Sequence, residues 1–106
     1  MEDCIFCKII KNEIDADFLY EDEKCVAFRD INPKSATHIL IVPKKHIPSI
    51  IDMADEDSDL IGELVKTARN IAADLGLRGY KLQFNVGKDG GQEIFHIHLH
   101  LMSKFN

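Results

Sequence analysis

Hydrophobic and polar residues change their period several times along this chain. In residues 55–75, Leu60, Ile61, Leu64, Val65, Ala68, Ile71, Ala72 and Leu75 fall three or four apart, the stripe of a helix packed by one face. Acidic residues at its start suit the helix dipole, and Gly76 supplies a C′ stop. Elsewhere the runs are short. Residues 17–20 and 24–28 read as two strands around the polar turn Glu21-Asp22-Glu23. Thr37 to Val42 is β-branched and almost continuously apolar, which predicts a central strand buried on both faces and stopped by Pro43. Residues 80–85 alternate as a strand. A glycine-bearing loop, residues 87–92, leads from them into a last strand at residues 93–102. Residues 5–10 predict a helical turn, with Cys4 and Cys7 on one side of it. The order β-β-β-α-β-β behind a short N-terminal helix predicts an α+β fold, with a mostly antiparallel five-stranded sheet and one long helix.

Composition narrows the function classes. With 106 residues, 45% hydrophobic and 29% charged, the chain predicts a single domain spanning 1–106 that needs no disulfides. A net charge of -5 argues against nucleic-acid and anionic-membrane partners, which require a basic face. No signal peptide or membrane-spanning run is visible, and three cysteines make no disulfide scaffold, so a cytoplasmic location is expected.

The last strand carries the chemistry. His96, His98 and His100 alternate with Ile97, Leu99 and Leu101, so a regular strand puts the histidines on one face and the aliphatic residues on the other. Neighbouring rings would start about 6.6 Å apart at roughly 3.3 Å rise per residue, close enough to act on one ligand. The loop before them, Gly87-Lys88-Asp89-Gly90-Gly91-Gln92, can turn backbone N–H groups toward an anion. Together they suggest phosphate chemistry.

His96 to Met102 resembles the signature of the histidine triad (HIT) family, and the likeness extends over the chain. Cys4-Ile5-Phe6-Cys7-Lys8-Ile9-Ile10, Ala27-Phe28-Arg29-Asp30-Ile31, Thr37-His38-Ile39-Leu40-Ile41-Val42-Pro43-Lys44 and Gly90-Gly91-Gln92 resemble the Hint branch in order and spacing. The resemblance implies that His98 attacks the α-phosphorus of a purine nucleoside monophosphate derivative, that a nucleotidyl-histidine forms, and that water hydrolyses it. Neutral imidazole suits that role, with an ordinary pKa of ~6.5. His100 would donate to a phosphoryl oxygen, and His38 would support the site. The N–H groups of Gly91 and Gln92 and the Asn85 side chain would neutralise developing charge without a metal.

By the same resemblance Asp30 accepts hydrogen bonds from ribose hydroxyls, and Ile5, Phe6, Ile9, Phe28 and Ile31 form an apolar slot for the base. Taken alone, those five read simply as core. Arg29 stands where several Hint members have histidine, and can stack on a base or lie at the surface. Glu93 stands where many have Ser or Thr; its carboxylate cannot donate, although its backbone N–H can. The chain also ends at Ser103-Lys104-Phe105-Asn106, without the longer tryptophan-bearing tail of many Hint members, which bears on the leaving group.

Cys4 and Cys7, with His46 and His96, make a donor set for a structural zinc that resembles some bacterial HIT proteins. A redox pair and two small buried hydrophobes are the rival readings. Cys25 reads as merely buried. The expected function is hydrolysis of nucleoside phosphoramidates by a homodimer. The alternatives are hydrolysis of dinucleoside polyphosphates and a nucleotide- or zinc-binding regulatory module. A metallohydrolase is disfavoured, because Glu93 is the last carboxylate in the chain.

Overall fold

The computed structural model describes residues 3–104. The expectations about the N-terminal start and the Phe105-Asn106 tail therefore concern chain ends outside the described residues. At the centre stands strand β3, Thr37–Pro43, every residue of which is buried. Its register explains the continuous apolar run. Ile39 and Ile41 join Leu64, Ala68, Ile71 and Ala72 of the long helix α2, Ser58–Asp74, in one core, while Leu40 and Val42 pack with Phe6 and Ile9 on the other face. A strand sandwiched in this way has no solvent face for polar side chains.

The helix on that second face is α1, Ile5–Ile10, and α2 runs from Ser58 to Asp74. Strands β1 (Phe18–Glu21), β2 (Cys25–Arg29), β4 (Lys81–Gln83) and β5 (Leu99–Ser103) complete a five-stranded sheet in the order β1-β2-β3-β5-β4, with every pairing antiparallel. The α+β class and the five strands match the sequence expectation. The β1–β2 turn is held by Asp22, whose Oδ1 accepts from the Lys24 and Cys25 N–H groups at 2.7 and 2.9 Å. Cys25 is fully buried, as its position in a strand implied.

Three boundaries differ from the sequence reading. Residues 55–57 form a 3-10 turn ahead of α2, fastened by Asp57 Oδ2 accepting from the Ala54 N–H at 3.0 Å. Beyond the helix, Gly76 takes φ +71°, which is why glycine is favoured there. Strand β4 is only three residues long. The last strand is also shorter than its alternation implied, because β5 begins at Leu99, paired to Ile41 of β3. Residues 94–98 therefore approach the sheet as irregular backbone, tied by Ile97 N–H donating to Ile47 O at 2.8 Å. The alternation of side chains still holds, for Ile97, Leu99 and Leu101 enter the α2 core. No helix among the described residues is long and apolar enough to cross a membrane.

Candidate active site

On the side of the sheet opposite α2, His46, His96 and His98 meet the N-terminal segment, and His38 and His100 pair beside His98. Their hydrogen-bond partners fix which ring nitrogen carries the proton. His98 Nδ1 lies 2.8 Å from the His96 carbonyl oxygen and must donate to it, so its Nε2 keeps a free lone pair. The Phe6 ring meets the His98 ring edge-on at 5.1 Å. Burial holds the His98 pKa below the ordinary histidine value, although the His96 carbonyl and the Asp30 carboxylate oppose that shift. A buried, neutral imidazole with one unprotonated nitrogen is a competent nucleophile.

His100 follows on β5, its ring 4.9 Å from that of His98. Its tautomer is set at one remove. The Lys34 backbone N–H donates to His38 Nδ1 at 3.0 Å, which leaves the His38 proton on Nε2. That N–H donates to His100 Nδ1 at 2.9 Å, and so the His100 proton sits on Nε2. Asp30 Oδ2 lies 3.5 Å from His38 Nε2. Burial and the neighbouring His98 and His38 push the His100 pKa down to about 4. Asp30, His38 and His100 bring three donor atoms within 4.8 Å of one another. A cation there would have to displace the His38 proton, leaving Nδ1 facing an N–H. The geometry is a polar relay.

His96 departs from its two neighbours. Its Nε2 donates to the Pro43 carbonyl oxygen at 2.8 Å, which turns the unprotonated Nδ1 toward Cys4, Cys7 and His46. That nitrogen lies 3.3 Å from Cys4 Sγ, 3.7 Å from Cys7 Sγ and 3.1 Å from His46 Nδ1, and Cys7 Sγ is 3.2 Å from His46 Nδ1. Tetrahedral zinc with ordinary Zn–S and Zn–N bonds separates its ligand atoms by about 3.3–3.8 Å. The donor set fits the ion in number, type and spacing. It lacks the strand-to-helix setting of a thioredoxin-like pair, since no strand precedes Cys4 and α1 among the described residues. Burial and the adjacent Cys4 raise the Cys7 pKa, a shift that a divalent cation would reverse. His96 thus stands with Cys4, Cys7 and His46, the grouping that the family resemblance implied, and only His98 and His100 of the three alternating rings stay together. His96 turns away because its ring takes up the carbonyl of Pro43, the last residue of β3.

The anion loop also needs correction. The N–H groups of Gly90, Gly91 and Gln92 donate to Gly87 O, Lys88 O and Gly87 O at 3.0 to 3.1 Å, inside the turn itself. Those of Gly91 and Gln92 are thus not available to a phosphate. The Gln92 side chain is an internal brace, linking the Gly87 N–H, Pro48 O and Ile94 O. Asn85 reaches the loop, Nδ2 donating to Gly91 O at 3.3 Å, and Gly91 takes φ +84° with a would-be Cβ 3.2 Å from that nitrogen. The first N–H past the turn with no acceptor among the described residues is that of exposed Glu93.

The remaining site residues divide by burial. Phe6, Ile9 and Phe28 belong to the α1-face core, but Ile5 is 40% exposed and Ile31 85% exposed. The plain core reading fails for those two. Arg29 lies 3.5 Å from Asp17 at the surface. Sequence reasoning missed the Lys34 N–H and the Pro43 and His96 carbonyls, because main-chain groups have no letter in a sequence. It also missed Gln83, which pairs with His100 across β4 and β5 and donates to Asn85 Oδ1 at 2.9 Å. The alternation of residues 80–85 carried that signal.

A family model described as "Scavenger mRNA decapping enzyme C-term binding" matches residues 3–106. Protein HitA of Neisseria gonorrhoeae is 46% identical over 103 residues, 96% of each chain. A purine nucleoside phosphoramidase of Escherichia coli K12 is 44% identical over 103 residues, 95% of this chain and 87% of its own. The crystal structure of a HIT family hydrolase from Legionella pneumophila superposes with a TM-score of 0.94 at 48% identity, covering 98% of this chain and 95% of that one. With these relatives and this arrangement of histidines, the chain belongs to the histidine triad (HIT) family of nucleotide hydrolases.

Proposed function

We propose that this single-domain protein hydrolyses purine nucleoside 5′-phosphoramidates at the P–N bond. The observation that carries the reading is the tautomer of His98, whose Nδ1–H is held by the His96 carbonyl so that Nε2 is free to attack. In the first step Nε2 bonds to the α-phosphorus, and the electron pair of the P–N bond leaves with the amine, which takes up a proton. Water then attacks the nucleotidyl-histidine, releasing the nucleoside monophosphate and restoring neutral His98. The Nε2–H of His100 and the Glu93 backbone N–H donate to phosphoryl oxygens. Asp30 holds the ribose hydroxyls, and exposed Ile5 and Ile31, over Phe6, Ile9 and Phe28, hold the base. The name of the Escherichia coli relative supports this substrate class.

Zinc held by Cys4, Cys7, His46 and His96 supplies cross-linking of α1 to the sheet. A closed set of four protein ligands has no position for substrate, so turnover needs no metal. A reducing cytoplasm suits the two thiolates, and a homodimer suits the apolar Val65 of α2, which is 41% exposed while Leu60 and Ile61 pack against the core. The test is turnover of adenosine 5′-phosphoramidate, set beside diadenosine polyphosphates, in excess chelator. Release of AMP from the phosphoramidate supports the reading. Absence of release from it at any metal concentration overturns it.

A further inference from the structure

A second cleft, of 930 Å³, opens at the end of the sheet where Thr37 pairs with Ser103. Its wall carries Lys34, Arg78, Lys81 and Lys104, four of the 13 lysines and arginines in a chain of net charge -5, and no aspartate or glutamate among the described residues lines it. None of the four cations forms an ion pair among the described residues, as is true of every other lysine and arginine there except Arg29, Lys44 and Lys45. Like charges gathered in one cleft repel one another, and an anion of high charge density relieves that repulsion. Lys34 ties the cleft to the histidine relay through its N–H on His38, and Met102, another wall residue, pairs with His38 across β3 and β5.

We propose that this cleft is a binding subsite for an oligophosphate chain, contiguous with the histidine site. Its volume suits such a group, and lysine and arginine are the side chains that bind phosphates most strongly. The chain is either the leaving group of a nucleotide held at His98 or a separate anion. The first alternative rests on the nucleotide-hydrolase reading above and extends its substrates to dinucleoside polyphosphates. There attack on the α-phosphorus would break a P–O bond, whose electron pair departs on the terminal oxygen of the oligophosphate.

The test begins without catalysis. Tripolyphosphate is titrated into the wild-type protein and into the double variant Arg78→Glu, Lys104→Glu, after light scattering has shown equal masses. Wild-type binding that weakens with salt and falls about tenfold or more in the variant supports the subsite. No binding, or equal binding by the two proteins, overturns it. Turnover then identifies the source. A fall in kcat/KM for diadenosine tetraphosphate, with adenosine phosphoramidate unchanged, makes the oligophosphate a leaving group. Unchanged turnover of both, with tripolyphosphate binding lost, makes it a separate anion. Failure of the hydrolase reading is a different result, namely turnover of neither substrate by a protein that still binds tripolyphosphate.

Discussion

His38, His96 and His98 each have a main-chain group on one ring nitrogen, and this divides their roles more finely than residue type can. The sequence showed three alternating histidines. The family resemblance assigned the first to the cysteine cluster, but the letters could not show what turns its ring there, the carbonyl of Pro43 at the end of β3. For His98 the expected outcome of substitution by Asn is a fall in kcat of roughly 10³-fold or more, with AMP affinity kept within about threefold. Steady-state kinetics and nucleotide titration on the same variant measure both, and near-normal turnover would remove His98 from the nucleophile role. The His38–His100 pair has a separate signature in stability. Burial lowers both pKa values, that of His100 to about 4, while the unfolded chain binds protons near 6.5. Below 6.5 the unfolded state therefore binds more protons than the folded one. The pair's contribution is fully present above 6.5 and is lost as pH falls toward 4. Melting temperatures taken from neutrality to about pH 5 should fall less steeply in His100→Asn than in the wild type.

Among the elements, the long helix and the central strand were plain in the sequence because their periods were clean. The short pieces were not. Residues 93–98 had the letters of a strand, but β3 stops at Pro43, opposite residue 97, and the Ile97 N–H is taken by Ile47 O, so the stretch remains irregular. The N-terminal helix α1 is six residues long, too short to hold its shape by itself. Cys4 caps it, accepting from the Cys7 N–H at 3.3 Å, and Phe6 and Ile9 pin its inner side. A zinc bound only by the native state adds to that by mass action. Removing the metal, or Cys7→Ala, should lower the melting temperature by about 10 °C or more, read by calorimetry. Turnover below that temperature should continue, reduced by drift of Ile5 at the base slot. Elemental analysis finding no metal, with both thiols freely titratable, would end this account.

At the scale of the molecule, one sheet is given a structural side and a chemical side. Helix α2 covers the first with Leu64, Ala68, Ile71 and Ala72; α1 and the histidines occupy the second. That plan follows from alternation and was legible in the letters. The oligophosphate cleft was not, because its four cations come from three separated segments. Strand β4 ends the sheet with an open edge, and exposed Leu82 on it and Val65 on α2 are apolar. An open strand edge invites pairing with another copy. Light scattering at micromolar concentration should give twice the mass of one chain, and Val65→Asp should shift it toward the single-chain value. A wild-type mass equal to one chain would refute the dimer.

His96 has a further consequence for anyone redesigning this scaffold. Its ring belongs to the cysteine cluster and its carbonyl orients the ring of His98, so two sites share one residue as a common joint. A change there cannot be repaired from one side alone. New metals are better introduced by altering Cys4 or His46, and new reactions by altering His100 or the wall around Lys34. A spectroscopically active ion such as cobalt, seated in the cluster, would be held by a residue two positions before the reacting imidazole. Its absorption bands would then report the arrival of a nucleotide without any label on the substrate.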